Sequence, residues 1–364
     1  MSSFVAPASP LSLEPEVRPT PLPAMALDDL PTDYHFVRSH FAVPAAEPEH
    51  WTVQVLGAVE RPHSYSLADL RRRRVRTRSV VLECAGHRRN EFRPATGGVQ
   101  WGAGAVSEAR WTGVSLAELL ADVEPIDEGS EVVFEGADRG QHRSSTNSVP
   151  FARSIPLVRA LAGDVLLAWE MNGGPIPRKH GAPLRAIVPG SYGVASVKWV
   201  RRIVVLDRPF TGPFQTDDYQ LNGKPLDDVH VNSLIVYPEA ASVLSVGAVE
   251  VSGVAWGGLG GIDGVEFRLS GGRWQPAALR RPRSPFGLTR WSGLLELRPG
   301  ELRVESRARD RTGAVQPKEP VWNALGYANN SIHSVRIRVV AAGHEDRAKE
   351  DLRARRDGRA ATEL

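Results

Sequence analysis

The sequence predicts two domains of different classes, a strand-rich α+β domain followed by an all-β, immunoglobulin-like sandwich. Three observations predict them. The chain of 364 residues exceeds the roughly 150 residues of a typical single domain. Strand patterns are mixed with short helices in its first part, whereas short strands and Gly-rich turns dominate after residue 231. We therefore expect an extended arm over 1–32, the α+β domain over 33–207, a linker over 208–230, the sandwich over 231–341 and a charged tail over 342–364.

The α+β domain is predicted from strands that alternate irregularly with two short helices. Ser66 begins an arginine-rich helix and Ser115 an apolar one. In each, an acidic residue three positions later (Asp69 or Glu118) completes the pattern of a capping box. Apolar or alternating runs predict strands over 52–57, 79–84, 131–135, 164–170, 183–188 and 196–206. Because the order is irregular, the pattern indicates α+β rather than a doubly wound sheet.

The second domain is predicted to consist of strands alone. Short apolar or alternating runs, separated by turns rich in glycine, occupy 246–256, 265–270, 273–279, 291–297, 301–310 and 334–340. Regular spacing of short strands without helices is typical of a β-sandwich, and the architecture expected is immunoglobulin-like.

Composition excludes some partners and locations. The 45 basic and 42 acidic residues give a formal net charge of +3, which gives a nucleic-acid partner little support. No apolar run approaches the roughly 18–20 residues of a membrane helix, so we expect no membrane span. The N-terminal residues show neither a signal-peptide pattern nor a twin arginine, and we expect a cytoplasmic protein.

The single cysteine, Cys84, lies at the end of a predicted strand. A lone cysteine is most often a small core residue. Here Gly86 allows a tight turn after the strand, and Arg88 and Arg89 bring positive charge that favours the thiolate. As a thiolate, Cys84 is either a nucleophile with His87 as the nearby base or a ligand of a soft metal whose other ligands come from a cofactor.

Several motifs follow one another along the chain. Residues 80–89, VVLECAGHRR, are a variant of a strand followed by C-A-G-N-R-R, and residues 36–40, FVRSH, a variant of F-x-R-N-H. Residues 101–114, WGAGAVSEARWTGV, and 168–185, AWEMNGGPIPRKHGAPLR, fit W-x-x-G-A-I-S-x-A-R-W-x-G-V and L-A-Y-E-M-N-G-x-P-L-P-x-D-H-G-x-P-V-R. This ordered set resembles the sulfite oxidase family of molybdopterin-dependent oxidoreductases. The resemblance runs from about residue 33 to residue 340, includes that family's C-terminal dimerisation domain, and therefore implies a homodimer.

The resemblance implies a molybdenum–molybdopterin cofactor, with Cys84 as the protein thiolate on the metal. The other positions that match cofactor-binding residues of the family are Phe36, His40, Asp138, His180, Arg185, Ser196, Val197 and Lys198. The histidines and cations of this set suit the pterin phosphate. The carboxylate suits the amino groups of the pterin ring.

The activity implied is oxygen-atom transfer at molybdenum, with sulfite oxidised to sulfate. Arg38 and Arg89 match positions that line the anion pocket, and Trp101 matches an aromatic wall. Guanidinium groups suit a dianion because they are planar, bidentate and permanently charged. The resemblance also implies a third arginine from the β domain, for which Arg281, Arg283 and Arg290 are the candidates.

The chain departs from the family pattern at four positions. His87 and Ser39 replace asparagines, and Lys179 replaces an aspartate. Phe151, a further position of the predicted catalytic site, replaces a tyrosine whose phenol is held to assist near the metal. Phenylalanine cannot donate a hydrogen bond. Either the reaction proceeds without that bond, another hydroxyl such as that of Tyr192 replaces it, or the substrate differs.

We expect no haem in the chain, since no C-x-x-C-H site is present. The electrons would therefore pass to an external acceptor such as a cytochrome or oxygen.

Two other functions stay open at this stage. One alternative is nitrate-reductase-like reduction of an oxyanion in a similar pocket. The other is a non-catalytic, immunoglobulin-like binding module attached to a degenerate α+β domain. Molybdenum content separates the module from the enzymes, and a sulfite-versus-nitrate assay separates the two enzymes.

Overall fold

The computed structural model describes residues 11–13, 15–126, 130–344, 346 and 348. These residues form two compact units. The first extends to His230 and also includes Arg283–Leu288 and Pro320–Asn329. The second begins at Val231 and includes the remaining residues.

The first unit contains mostly strands with a few short helices. Its α-helices are α1 (Leu67–Arg71), α2 (Leu116–Val123), α3 (Leu157–Leu161) and α4 (Pro213–Thr216). Its strands are β1 (Ser12–Leu13), β2 (Glu16–Arg18), β3 (Val37–Arg38), β4 (Thr52–Gly57), β5 (His63–Ser66), β6 (Val75–Glu83), β7 (Val106–Ser115), β8 (Glu131–Gln141), β9 (Ser148–Pro156), β10 (Leu166–Met171), β11 (Gly174–Pro175), β12 (Arg185–Ile187), β13 (Val200–Leu206), β14 (Gln220–Leu221) and β15 (Lys224–Pro225). Single 3₁₀ turns occur at Leu22–Ala26, Thr32–Tyr34, Pro48–His50, Arg89–Glu91 and Arg178–His180.

Two five-stranded sheets organise the first unit. One has the order β5-β4-β13-β8-β9, in which β13 pairs with β4 in parallel. The other has the order β11-β10-β7-β6, and β12 also pairs with β10. Since helices do not alternate with the strands and most pairings are antiparallel, the predicted strand-rich α+β class is confirmed.

The two predicted capping boxes have different outcomes. Ser66 accepts from the amide of Asp69, whose carboxylate accepts from the amide of Ser66, so the box at α1 is confirmed. The box predicted at Ser115 is wrong, because no side-chain cap forms there. The Ser115 hydroxyl instead donates to the carbonyl of Gly163 at 3.2 Å. Helix α2 is nevertheless retained, since its apolar face is buried in the core through Leu116, Leu119, Leu120 and Val123.

The second unit is a two-sheet β structure. Its strands are β16 (Asn232–Tyr237), β17 (Val243–Ser245), β18 (Gly247–Trp256), β19 (Ile262–Leu269), β20 (Gln275–Pro276), β21 (Ala278–Arg280), β22 (Thr289–Leu297), β23 (Gly300–Asp310) and β24 (His333–Val340). They form sheets of order β16-β18-β22-β21 and β17-β24-β23-β19-β20. Alternate residues of both sheets contribute to one apolar core, which includes Ile235, Phe267, Trp291 and Ile337. The predicted all-β class is confirmed, and the immunoglobulin-like topology stays a prediction.

The predicted boundaries differ from the observed units in three places. The arm is not merely extended: β2 pairs with β3, and Val17, Ala24 and Met25 are buried. The predicted linker is packed in the first unit, where Phe214 and Leu226 are buried. Residues 320–329, expected in the sandwich, belong to the first unit because their backbone bonds to it, as Ala328 does to Ala85 at 2.9 Å. Most of the predicted charged tail lies outside the described residues. Within the described part of the chain, no helix is long and apolar enough to cross a membrane.

Candidate active site

A pocket in the first unit collects residues from both sheets and from the turns between them. Strand β3 and the two residues after it supply Arg38, Ser39 and His40, and the residue that follows β6 is Cys84. The other lining residues are Phe36, Ala85, Asp138, Phe151, Lys179, His180, Arg185, Gly193, Val194, Ser196, Lys198 and Tyr219. The pocket therefore holds one thiol, several cations and one carboxyl group.

The thiol of Cys84 lies at the turn that ends β6. The Cys84 amide donates to Ala105 at 2.9 Å, and the His87 amide donates back to the Cys84 carbonyl at 2.8 Å, which closes the turn. Burial raises the pKa of the thiol, while the Gly86 amide and the charges of Arg38 and Arg89 act in the opposite direction. Arg89 thus acts on the thiol in the direction expected from the sequence, but burial has the larger effect and the net shift of the pKa is upward. A bound metal ion would displace the thiol proton directly.

Arg185, which is buried, and Lys198, which is half-buried, bring two cations to one side of the pocket. Arg185 donates through Nε to the Ser196 carbonyl at 3.2 Å and through Nη1 to the His180 carbonyl at 2.9 Å. Lys198 Nζ donates to Ser39 Oγ at 2.5 Å and to the Lys179 carbonyl at 3.0 Å. Burial lowers the pKa of Arg185 to about 9, and burial together with the charge of Arg185 lowers that of Lys198. Two cations held this close favour an anionic ligand.

Asp138 is the one carboxyl group among the lining residues, and one of its oxygens, Oδ1, is buried without a hydrogen-bond partner. Burial raises its pKa to about 7, although the charge of Lys198 opposes the shift. Gly136 makes room for it, since a Cβ there would lie 2.4 Å from Oδ1. A carboxyl group buried in this way is suited to accept from the amino groups of a ligand.

The histidines around the pocket are neutral at neutral pH. Burial lowers the pKa of His35 to about 3, with the charge of Arg185 acting in the same direction. Burial likewise lowers the pKa values of His40 and His180 well below the usual value. His180 Nε2 is buried without a partner. The unpartnered atoms of His180 and Asp138, the adjacent cations and the thiol together match the polar groups of a phosphorylated pterin on a soft metal.

Three predicted site residues do not line this pocket: Arg89, Trp101 and Val197. Trp101 is fully buried and meets the ring of Phe36 edge to face, with ring centroids 6.3 Å apart. Val197 belongs to the apolar core. Neither side chain lines the pocket, so each would act on a ligand through other residues: Trp101 through Phe36, and Val197 through its sequence neighbours Ser196 and Lys198.

The guanidinium of Arg89 is occupied by backbone oxygens. It donates to the carbonyls of Val99 at 3.0 Å, Leu325 at 3.1 Å and Gly326 at 3.1 Å. A Cβ at Gly86 would lie 2.7 Å from its Cζ. Three of the five N–H groups of the guanidinium therefore have partners inside the protein, and the binding of the substrate anion by Arg89 stays a prediction. Arg88 pairs with Glu91 at 2.7 Å.

Arg38 is the predicted anion-binding arginine that does reach the pocket. It is half-buried, and its Nη1 donates to the Ser39 carbonyl and its Nη2 faces His40 Nδ1 at 3.3 Å. Lys179, which replaces a family aspartate, also lines the pocket. Its Nζ lies 3.6 Å from Oε1 of Glu16. None of the three β-domain arginines considered above, Arg281, Arg283 and Arg290, is a lining residue.

Phe151 lines the pocket as expected. Its ring stacks on that of His40, with ring centroids 5.3 Å apart and an interplanar angle of 15°. Tyr192, the hydroxyl considered as its replacement, is buried and does not line the pocket. The lining tyrosine is Tyr219, which the sequence analysis missed because it lies in the predicted linker. The signal available was three aromatic residues, Phe210, Phe214 and Tyr219, within that stretch.

Comparison with known proteins gives the class of the chain. The family described as oxidoreductase molybdopterin binding domain matches residues 40–214, and the Mo-co oxidoreductase dimerisation domain matches residues 224–340. The sulfane dehydrogenase SoxCD from Paracoccus pantotrophus has a similar structure, with a TM-score of 0.77 and 28% sequence identity. That match covers 94% of this chain and 90% of the other. The fold and the pocket therefore define a molybdopterin-binding oxidoreductase domain joined to a dimerisation domain.

Two relatives identify the family. The sulfite oxidase of Gallus gallus is 35% identical over 334 residues, which cover 83% of this chain and 72% of the relative. The mitochondrial sulfite oxidase of Drosophila melanogaster is 33% identical over 347 residues, which cover 85% of this chain and 59% of the relative. The chain belongs to the sulfite oxidase family. It spans 59% of the length of the Drosophila protein.

Proposed function

We propose that the protein is a molybdenum-dependent oxidoreductase that oxidises sulfite to sulfate and passes the electrons to an external acceptor. The observation that carries the proposal is the pocket, which places one thiol beside Arg38, Lys179, Arg185 and Lys198. The names of the two relatives support sulfite as the substrate. A dianion is the ligand that such a cationic pocket favours.

The cofactor-binding residues divide by chemistry. Cys84 would ligate the metal, and when bound, the molybdenum–pterin group would supply two-electron oxygen-atom transfer. His40, His180, Arg185 and Lys198 would hold the phosphate. Asp138 would accept from the pterin amino groups, and the remaining matched positions, which would pack or hydrogen-bond alongside, are Phe36, Ser196 and Val197.

The substrate side of the pocket is assigned to the other cations. Arg38 would bind and orient the anion, and Lys179 would add positive charge next to it. Phe151 would exclude water and keep the ring of His40 in place, since the two rings are stacked. Trp101 would support the lining residue Phe36, whose ring it meets edge to face. Arg89 would keep the turn after Cys84 in its conformation.

We also infer a homodimer, formed through the second unit, from the match to a dimerisation domain. The cytoplasmic location stays a prediction of the sequence. The identity of the electron acceptor, a cytochrome or oxygen, is open to direct assay with each.

The test is a metal analysis combined with two activity assays on the same molybdenum-loaded protein. We expect close to one molybdenum per chain, sulfite-dependent reduction of a dye, and no comparable oxidation of reduced dye by nitrate. Nitrate turnover without sulfite turnover would replace the proposal with the nitrate-reductase-like alternative. Protein that binds no molybdenum would favour the non-catalytic module.

A further inference from the structure

Two departures from the family pattern, Ser39 and Lys179, contact the same side chain. Lys198 Nζ donates to Ser39 Oγ at 2.5 Å and to the Lys179 carbonyl at 3.0 Å. Lys179 Nζ in turn lies 3.6 Å from Oε1 of Glu16, a residue of β2. The family pattern has a carboxylate at position 179. This chain has a cation there, and it brings a carboxylate to that cation from a strand distant in sequence.

Strand β2 is fixed to one part of the pocket lining by its backbone. It pairs with β3, and the register places Val17 opposite the lining residue Arg38. Just after β2, the Thr20 amide donates to the Gly104 carbonyl at 2.8 Å. A Cβ at Gly104 would lie 2.5 Å from the Thr20 carbonyl oxygen, so the close approach requires glycine. Strand β2 therefore has a defined position relative to Arg38.

Glu16 connects β2 to a second part of the lining, the turn Arg178–His180. Its Oε1 accepts from Arg18 Nε at 2.8 Å on the same strand and faces Lys179 Nζ at 3.6 Å. The side chains of Lys179 and Glu16 are 29% and 23% exposed, so solvent screens this pair less than a surface pair. The backbone pairing and the ion pair together tie two parts of the lining to one strand.

The turn Arg178–His180 positions two residues assigned to the pterin phosphate. His180 is its last residue, and the Lys179 carbonyl accepts from Lys198. The charge of Glu16 also reaches Lys198, where it acts against burial, which lowers the pKa of that ammonium group. A movement of this turn would therefore displace both a histidine and a lysine of the cofactor site.

We propose that Glu16 is a positioning residue of the cofactor site, which holds Lys179 against β2, fixes the Arg178–His180 turn and thereby slows the release of the pterin. This inference rests on the phosphate-binding residues of the proposed function, but it does not depend on the choice of oxyanion. The charge of Glu16 alone would have the reverse effect, because a carboxylate beside a cationic pocket weakens the binding of an anion. The direction of the effect therefore tests the proposal.

The test measures the release of pterin from loaded protein by fluorescence, in urea below the unfolding transition. Glu16→Gln and Lys179→Met each break the ion pair, and we expect both to speed release roughly three- to tenfold. If charge alone mattered, Glu16→Gln would slow release and only Lys179→Met would speed it. Lys179→Arg keeps the charge and the reach of the side chain, and its release rate should stay within about twofold of wild type.

The family residue at position 179 provides a reversal of sign. Lys179→Asp places a second carboxylate beside Glu16, and because like charges repel, we expect faster release than in Lys179→Met. Adding Glu16→Gln to Lys179→Asp removes that repulsion and should slow release, although the same substitution speeds release in the wild-type background.

Glu135→Gln is the matched control. Glu135 is 22% exposed, pairs with Arg202 at 3.5 Å and does not line the pocket. We expect its release rate to stay within about twofold of wild type. The free energy of unfolding of each cofactor-free variant is measured by urea denaturation, and we expect the loss in Glu16→Gln to be no larger than that in Glu135→Gln.

The outcomes separate the two proposals. If Glu16→Gln releases the pterin at or below the wild-type rate, the role of Glu16 is refuted and the proposed function stands. An effect of Glu16→Gln that keeps its sign in the Lys179→Asp background also refutes that role, as do release rates that merely follow the unfolding free energies of the variants. If the loaded wild type oxidises no sulfite, the proposed function is refuted, while the release rates still decide the role of Glu16.

Discussion

Two segments help to form the pocket: residues 84–91, the Cys84 segment, and residues 212–226, the Tyr219 segment, which contains α4, β14 and β15. Each is held by a buried arginine that donates to backbone carbonyls. Arg89 bonds to Val99, Leu325 and Gly326, and Arg153 bonds to Phe214 and Leu226. The first segment carries a recognisable motif, and the second was predicted to be a linker.

The comparison shows that residue type alone does not separate an anion ligand from a structural clamp. The guanidinium group offers a planar, permanently charged set of donors, which suits a dianion and a cluster of carbonyl oxygens equally well. Arg38 reaches the pocket, whereas the donors of Arg89 and Arg153 are directed at backbone. The following variants test this distinction.

The largest effect is expected for Cys84→Ser in the Cys84 segment. Serine is nearly isosteric with cysteine but replaces a soft thiolate donor by a hard oxygen, so sulfite-dependent dye reduction should fall to background. The pterin content should persist, since other contacts hold it, and it is measured by fluorescence of the released pterin. Turnover near the wild-type level would remove Cys84 from the metal.

Arg89→Met tests whether this residue is a clamp. Three backbone carbonyls lose their donor, and at about 1 kcal/mol for each the free energy of unfolding should fall by about 3 kcal/mol. Urea denaturation measures it. The KM for sulfite of the folded variant should stay within about threefold of wild type. A tenfold rise in KM with unchanged stability would instead make Arg89 an anion ligand, as the family resemblance implies.

Arg38→Gln is expected to show the opposite pattern. Loss of a charge-assisted hydrogen bond of roughly 1.5–3 kcal/mol should raise the KM for sulfite about ten- to a hundredfold, with little change in the free energy of unfolding. Arg178→Gln is the matched control. It removes the charge of an arginine that precedes the lining residue Lys179 in sequence but does not itself line the pocket. An unchanged KM for Arg38→Gln would exclude Arg38 from substrate binding.

The parts of the molecule that could be predicted from the sequence are those governed by local pattern. The alternating residues of β4 and of the long strands of the second unit gave their positions, and the box at Ser66 gave the start of α1. The motif around Cys84 gave the residue that the structure places at the pocket wall. Each of these depends on neighbours in the chain.

The rest could not be predicted because it depends on contacts distant in sequence. The partners of Arg89 lie 10, 236 and 237 residues away, and no pattern around Arg89 indicates them. The hydroxyl of Ser115 bonds to Gly163 rather than to its own helix. Tyr219 meets His40 across 179 residues. The polar composition of residues 208–230 indicated a linker, whereas Arg153 anchors that stretch in the core.

Arg153→Met tests the second clamp, and its effect on stability should be smaller. Two carbonyls lose their donor, so the free energy of unfolding should fall by about 2 kcal/mol. Met keeps much of the apolar volume of a side chain that is fully buried. Since Phe214 and Leu226 flank Tyr219, the KM for sulfite should also rise, which distinguishes this variant from Arg89→Met. Urea denaturation and steady-state kinetics measure the two effects.

The control for Arg153→Met is Arg143→Met, which removes another cation that contacts the same segment. Arg143 pairs with Asp218 at 2.6 Å, but 62% of its side chain is exposed. Exposed ion pairs contribute about 0–1 kcal/mol, so this variant should change stability by less than about 1 kcal/mol and leave KM unchanged. Equal losses in the two variants would mean that Asp218 anchors the segment as strongly as Arg153 does. A wild-type KM in a destabilised Arg153→Met protein would show that the clamp serves the fold and not the position of Tyr219.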